Sequence, residues 1–396
     1  MASSRLLATT TSASSPAAAR MASSCASETS GSVSPGITST RMTASIPSLS
    51  RGAAGERQRS AYHRRRSANS AVDWRSQREP QQRGGQMAEV QFGAQVSAYL
   101  TSWDEIRAVA QTMDAGRYDS IWFADHFVPP NRGKEVEGRE AFEALSLAAA
   151  VAAATETLRI GHLVLGNTYR NPGLVAKIAG SVDHISHGRF TLGIGASWFR
   201  REHQAYGWDF PPMKERQDRF EEACKMLRSV IHSDGANVSF AGQYYSLDDA
   251  PLSPGSYHNP IPILVGGTGP KRTLRTLALY GDIMNLDGWA GRGMSVELLK
   301  EKVDILHAHC EDVGRDPSEI SITALMPCLL TDDEAAAREW EERIGPGTLN
   351  GSADKIVQRI GEFIDFGIDE VMFGRRGDND PEYFQRLDDE VIAQFR

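Results

Sequence analysis

Residues 158–196 read LRIGHLVLGNTYRNPGLVAKIAGSVDHISHGRFTLGIGA. Two apolar runs, 159–165 and 190–196, flank a stretch that opens on Asn171-Pro172 and closes on Gly188. Asn before Pro starts a helix, and Gly just past the last turn ends one, so the segment predicts strand, helix, strand. Both strands are apolar at nearly every position instead of alternating. Parallel strands covered on both faces need that pattern.

The alternation continues in both directions. Upstream, strands are predicted at 90–96 and at 120–126 (SIWFADH). Between them lies a helix opened by the capping box Ser102-Trp103-Asp104-Glu105, and an Ala-rich helix follows at about 141–155. Downstream come a long helix at 214–232, an insertion at 235–260 with a hairpin (VSFAGQYYSL), and strands at 261–267, 282–286, 320–330 and 370–373. Helices fill 297–313 and 352–366, and a last helix closes the chain. Eight strands alternating with helices in about 300 residues predict an α/β fold, the (β/α)8 TIM barrel, with an insertion after strand four. A doubly wound sheet would carry G-x-G-x-x-G after its first strand, and Ser97-Ala98-Tyr99 stands there instead.

Two regions differ in composition, and we divide the chain at residue 86. Residues 1–86 are rich in Ser, Ala and Arg, with twelve Arg, no Lys and four acids. Nothing in them can bury enough apolar surface to offset ordering entropy, so the sequence predicts disorder there. An Arg- and Ser-rich leader of this kind reads as a transit-like segment. It also reads as translated upstream sequence ahead of a start at Met87. The second reading is preferred, because codons for Arg83-Gly84-Gly85 can spell a purine-rich ribosome-binding tract. Residues 87–396 are the predicted barrel domain.

Charge excludes several classes. The whole chain carries −8 and its first 86 residues +8, so the barrel carries −16. A body that acidic argues against nucleic acid as a partner. The longest uncharged apolar run, 144–155, is too short to span a membrane. Cys25, Cys224, Cys310 and Cys328 have no C-x-x-C spacing, which fits a reducing compartment, the cytoplasm.

A barrel of this type works at the C-terminal ends of its strands. Asp125 and His126 follow strand two. A His there can move a proton, and the plainer alternative is a helix-capping Asp beside a structural His. Asn167 and Thr168 follow strand three, as ligand contacts or as turn chemistry. Gly193, Gly195, Ala196, Ser197 and Trp198 end strand four, where small residues let a ligand approach the backbone. After strand five, Gly266-Gly267-Thr268-Gly269 enters a helix and offers backbone N–H groups to an anion, most often phosphate. His184 and His187 lack a third ligand at suitable spacing, so no metal site is expected.

Taken together, YDSIWFADHF (118–127), the segments 158–177 and 183–212, ERQDRFEEACKMLR (215–228) and IPILVGGTGPKRTLRTLALYGD (261–282) resemble the bacterial luciferase-like oxidoreductases. Within that family the chain is most similar to the branch that uses the deazaflavin coenzyme F420. The resemblance implies an oxidoreductase that transfers hydride between F420 and a small organic substrate. His126 would steady charge or move a proton at the ring edge, and Asp125 would contact the ring or orient that His. The strand-three segment would bulge, with a non-prolyl cis peptide at Leu163-Val164 behind the ring. Gly195, Ala196, Ser197 and Trp198 would line the cofactor, Glu202 would brace their loop, and Gly266, Gly267 and Thr268 would hold the phosphate. Arg200, Arg201, Lys271 and Arg272 could meet the acidic tail of F420. The first alternative is an FMN-dependent monooxygenase of the same fold, which needs reduced flavin from a reductase partner. The second is a noncatalytic flavin-binding barrel. The family often forms homodimers, so a homodimer is expected. Substrate choice is assigned to the segments 128–139, 235–260 and 343–351. Arg375-Arg376 read as a solvated turn.

Overall fold

A computed structural model of the protein describes residues 89–130, 141–290, 293–375 and 379–396. The expectations for residues 1–86, for most of 128–139 and for Arg376 lie outside these residues. Eight parallel strands close on themselves: β1 (Gln91–Gln95), β2 (Ser120–Phe123), β3 (Arg159–His162), β4 (Phe190–Gly195), β5 (Ile263–Gly266), β6 (Ile283–Asp287), β7 (Ser321–Leu330) and β8 (Glu370–Gly374). Neighbours follow chain order, and β8 returns to pair with β1, Gln91 standing opposite Glu370. This is the predicted TIM barrel. Helices cover it outside, and closure leaves no sheet edge to protect.

Local chemistry accounts for the elements. The capping box forms as expected: the Ser102 hydroxyl accepts the Glu105 N–H, and the Glu105 carboxylate accepts the Ser102 N–H at 2.8 Å. The helix Trp103–Ala115 then buries Ile106, Val109, Ala110 and Met113, one stripe at helical spacing. The Ala-rich helix begins at Ala144, three residues later than predicted. Its cap is Glu143, whose carboxylate accepts the N–H groups of Leu145 and Ser146. Glu is outside the usual capping set, so the sequence did not mark this start. A short helix, Arg200–Tyr206, and a short strand, Leu349–Gly351, paired with β7, were both read as loop.

The barrel interior is layered. At the N-terminal end, Glu370 accepts Arg159 at 2.8 Å and the Ser120 hydroxyl, while Trp122 Nε1 donates to Ser120 Oγ at 2.6 Å. Toward the C-terminal end follow Trp122, Leu264, Ile283, Leu325 and Met372. Leu163, Val164 and Trp289 pack on that apolar layer and form the floor of the mouth. Cys224, Cys310 and Cys328 are buried, and burial pushes the Cys328 thiol up to about 12, so these thiols are structural.

The third strand differs from expectation in one way that shapes the site. Gly161 stands opposite Thr191, but Leu165 stands opposite Ile194. The β3 side therefore holds one extra residue, a bulge, and strand pairing resumes only at Leu165–Gly166. The Leu163-Val164 peptide within it is cis. Val164 lodges against two neighbours: a Cβ on Gly195 would lie 2.8 Å from Val164 Cγ2, and one on Gly266 would lie 2.5 Å from it. A Cβ on Gly193 would collide with the His162 carbonyl oxygen. Gly193 and Gly195, read from sequence as room for a ligand, make room for the bulge, and so does Gly266, read from sequence as the start of an anion loop.

The clash at Gly193 is with backbone, which cannot rotate aside. Gly193→Ala is expected to cost about 3 kcal/mol, read as a lower urea midpoint at unchanged slope. An unchanged midpoint would show that the strand spacing yields freely.

Candidate active site

The short helix Arg200–Tyr206 buries Glu202 completely at the mouth of the barrel. Its carboxylate accepts four donors: the Phe127 N–H at 2.6 Å, the Val128 N–H at 3.0 Å, the Tyr169 hydroxyl at 2.5 Å and His126 Nδ1 at 3.1 Å. Burial alone would raise the Glu202 pKa, but His126, Tyr169 and the Val128 N–H outweigh it and hold the pKa below the usual range. Burial, reinforced by Glu202, pushes the Tyr169 hydroxyl far up, so it stays a donor. An ionised acceptor at Nδ1 places the proton of neutral His126 there and leaves Nε2 as its basic nitrogen. Three rings surround the imidazole: Trp198 with centroids 5.4 Å apart, Phe199 at 5.7 Å and Tyr99 at 6.3 Å.

Asp125 has another occupation. Its two oxygens accept a fork from Arg170 at 2.7 and 2.8 Å, and one of them accepts the Gly166 N–H at 2.9 Å. Arg170 also reaches the capping Glu143 at 2.5 Å. Burial works against the Arg170 charge, but Asp125 and Glu143 prevail and raise its pKa. The orienting role expected of Asp125 toward His126 therefore falls to Glu202. Asp125 ties the end of β2 to the β3 bulge. Arg170 and Tyr169 were not singled out from the sequence, where they sit inside a run that reads as turn and cap.

A second layer holds the loop after β4. Ser197 has a left-handed backbone, φ 63°, its Oγ accepts the Thr168 N–H at 3.3 Å, and its carbonyl accepts the Arg216 guanidinium. His203 Nδ1 lies 2.9 Å from the Phe199 carbonyl, which can only accept, so Nε2 accepts the Thr168 hydroxyl at 2.7 Å. Ala196 is half-buried between these contacts, and Trp198 is 62% exposed.

The loop after β5 borders a cavity of about 260 Å³, whose lining includes Gly267, Thr268, Gly269, Asp287 and Lys302. Gly267 has φ 94°, a conformation that L side chains rarely adopt. Lys302 is 4% exposed, and its ammonium pairs with Glu301 at 2.7 Å. It is a buried cation facing the predicted anion loop. No motif reveals it, because it lies on the helix Val296–Val313, about 35 residues beyond the loop. Arg272, offered from sequence for an acidic tail, is instead held by Asp218 and Glu221.

Asn167 Nδ2 donates to the Tyr245 hydroxyl of the inserted hairpin, Val238–Ala241 and Ser246–Ala250, at 3.2 Å. Asn167 Oδ1 is buried without a hydrogen-bond partner among the described residues. Such an acceptor is suited to a ligand N–H or O–H. The fold thus brings together His126, Glu202, the Leu163-Val164 bulge, the residues 195–198 and Gly266. Asp125 serves the frame, and Asn167 reaches the insertion through Nδ2 and keeps Oδ1 unpartnered among the described residues. An apolar floor, an orphaned acceptor and a cavity that a glycine-rich turn, Lys302 and Asp287 line fit a flat heteroaromatic cofactor that carries a phosphate.

Comparison with known proteins agrees. The family model for luciferase-like monooxygenases matches residues 81–370. An F420-dependent glucose-6-phosphate dehydrogenase of Amycolatopsis mediterranei is 28% identical over 314 residues, covering 70% of this chain and 90% of the relative. An FMNH(2)-dependent dimethylsulfone monooxygenase of Pseudomonas putida is 29% identical over 216 residues, 54% of this chain and 57% of the relative. Among solved structures, an F420-dependent secondary alcohol dehydrogenase in complex with an F420-acetone adduct shares the fold. Its TM-score is 0.66 at 21% identity, covering 78% of this chain and 100% of that one.

Glu202→Gln keeps the shape, removes the charge and sets an amide N–H against backbone donors. A loss of about 3 kcal/mol is expected at neutral pH. The folded pKa of Glu202 lies below its ordinary 4.5, so its contribution is complete above pH 4.5 and is lost as pH falls through the folded value. The gap between wild-type and variant urea midpoints should therefore narrow only in acid. A gap constant down to about pH 3 would show that Glu202 is not a charged hub.

Proposed function

The chain belongs to the luciferase-like monooxygenase family, and from that premise we propose that it is an oxidoreductase moving hydride between coenzyme F420 and a small organic substrate. The observation that carries the proton chemistry is the His126–Glu202 pair at 3.1 Å, with His126 Nε2 left for the substrate. When bound, the deazaflavin supplies the hydride acceptor or donor, and carbon in place of a flavin ring nitrogen suits it to hydride rather than oxygen chemistry.

The chain's own residues do the rest. His126 Nε2 takes the hydroxyl proton when an alcohol is oxidised and returns it when a carbonyl is reduced. Glu202 fixes the tautomer and the ring orientation, and so acts as a positioning residue. Leu163, Val164 and Trp289 keep water from the floor of the site. Gly267 and Thr268, which line the cavity, and the adjoining Gly266 would hold the phosphate through their backbone, with Lys302, now paired with Glu301, as its counter-charge. Asn167 Oδ1 would accept from the ring. Asp125 and Arg170 would keep the bulge in place behind it.

FMN-dependent oxygenation is the second reading, favoured by the 29% identical Pseudomonas putida relative and by a phosphate cavity that would take FMN equally well. It would bring a reductase into the scheme. Residence in the cytoplasm belongs to the same proposal, supported by three buried free thiols. Among the described residues no helix is long and apolar enough to cross a membrane.

Fluorescence titration of the full-length chain with F420 and with FMN tests the cofactor assignment. F420 is expected to bind about a hundredfold more tightly, a difference of about 2.7 kcal/mol. Tighter FMN binding would transfer the assignment to the monooxygenase. Lys302→Met should weaken F420 binding about tenfold by removing one charge-assisted contact. His126→Ala should lower kcat by about two to four orders of magnitude and leave the F420 Kd within about twofold. An unaffected kcat would remove His126 from the proton step.

A further inference from the structure

We propose that Tyr169 is a second positioning residue for the proton step: it shares one oxygen of the Glu202 carboxylate with His126 and so sets how readily the imidazole takes up a proton. The proposal rests on the proton-handling reading of His126 given above. Its test needs neither substrate nor cofactor, so a chain that fails to bind F420 still decides it.

The two oxygens of Glu202 have separate tasks. Oε1 accepts the N–H groups of Phe127 and Val128, at 2.6 and 3.0 Å, and is spent on the turn after β2. Oε2 accepts the Tyr169 hydroxyl at 2.5 Å and His126 Nδ1 at 3.1 Å. Phenol and imidazole therefore lean on one atom, and the phenol makes the shorter bond. A donor that draws on a carboxylate's charge leaves less of it to stabilise a neighbouring cation. With the phenol in place, an imidazolium at 126 receives only part of what Glu202 can give. The consecutive residues Tyr169 and Arg170 reach the two buried carboxylates of the mouth in different ways. Arg170 gives Asp125 a full counter-charge through its fork, whereas Tyr169 gives Glu202 a neutral donor. A cation at that place would quench the carboxylate, and a phenol only moderates it.

Tyr169 is held firmly enough to act this way. Its N–H donates to the Gly166 carbonyl at 3.1 Å, and a Cβ on Gly166 would lie 2.3 Å from Tyr169 Cε2, so the ring lies where only glycine leaves room. The ring meets Phe127 edge-on, centroids 5.5 Å apart, and packs on His203 and Trp208, each at 5.0 Å. Packing alone asks for phenylalanine there; the hydroxyl is what the packing does not explain. Burial, and after it the neighbouring carboxylate, keeps the phenol protonated. Among the described residues, the other titratable or charged groups around this trio are Tyr99, His203, the Asp125–Arg170 pair and Arg216. His203 is held by Phe199 and Thr168, Arg170 by Asp125 and Glu143, and Arg216 by the Ser197 and Pro211 carbonyls.

The test is an NMR titration of the full-length chain carrying histidine labelled at Cε1, with the His126 resonance identified by its loss in His126→Asn. Tyr169→Phe keeps the ring and removes the donor. The midpoint at which His126 titrates should then move up by about one pH unit, about a tenfold gain in proton affinity. Fluorotyrosine at position 169 is a stronger donor than tyrosine and should move the midpoint down. In the Glu202→Gln background, Tyr169→Phe should leave the midpoint where it was, because the carboxylate that couples the two rings is gone. A merely structural phenol would not reverse sign between the two replacements. An unmoved midpoint in Tyr169→Phe, movement in the same direction in both replacements, or an undiminished shift in the Glu202→Gln background would each overturn the proposal. Tyr169→Phe leaves Glu202 its other three donors and should keep the fold. Should it misfold, the fluorotyrosine chain decides by the sign of its shift.

Discussion

The seating of Val164 between Gly195 and Gly266 is the constraint on which the site depends. One extra residue in β3 has to go somewhere, and it goes toward the barrel axis. There its side chain needs space that only glycine on both neighbouring strand ends can leave. That contact holds the ends of β3, β4 and β5 in one arrangement. It sets the apolar floor, and it delivers Gly166 to the Asp125 carboxylate and Asn167 to the Gly195 carbonyl. Residues that look like a flexible ligand loop in the sequence are the mortise for a bulge.

Two buried carboxylates on adjoining segments are then given opposite characters by their neighbours. Asp125 is closed off by a bidentate guanidinium, an arrangement that fixes geometry and leaves little chemistry over. Glu202 is surrounded by backbone N–H groups, a phenol and an imidazole. None of these partners neutralises it permanently, so its charge remains available to hold the His126 ring. The same residue type serves as rivet in one place and as electrostatic support in the other.

Much of the fold was legible from periodicity and punctuation. The segments 158–196 and 261–282 announced parallel strands and their helices, and the eightfold alternation announced closure. His126 and the Gly-rich loop could be proposed because strand-end positions have a known use in barrels. The misses share a physical cause. Glu143 capping a helix, Arg170 clamping Asp125, and Lys302 facing a loop about 35 residues upstream are tertiary pairings between segments with no local pattern in common. The bulge was suggested only by resemblance, because one extra apolar residue inside an apolar run leaves no periodic signature. The glycines were noticed for a sound reason, close approach, but sequence could not say what approaches.

The cavity between the β5 loop and Lys302 has a further consequence. Its walls come from two segments of the barrel, the turn at 267–269 and the stretch from Asp287 to the helix that carries Lys302. An anion lodged there is a strut between them. Occupancy adds to the stability of the folded state in proportion to the logarithm of free cofactor over its dissociation constant. Were the cofactor's phosphate seated there, as proposed, the lifetime of the protein in the cell would be tied to coenzyme supply, and a chain made in excess of its cofactor would be the one that proteolysis removes first.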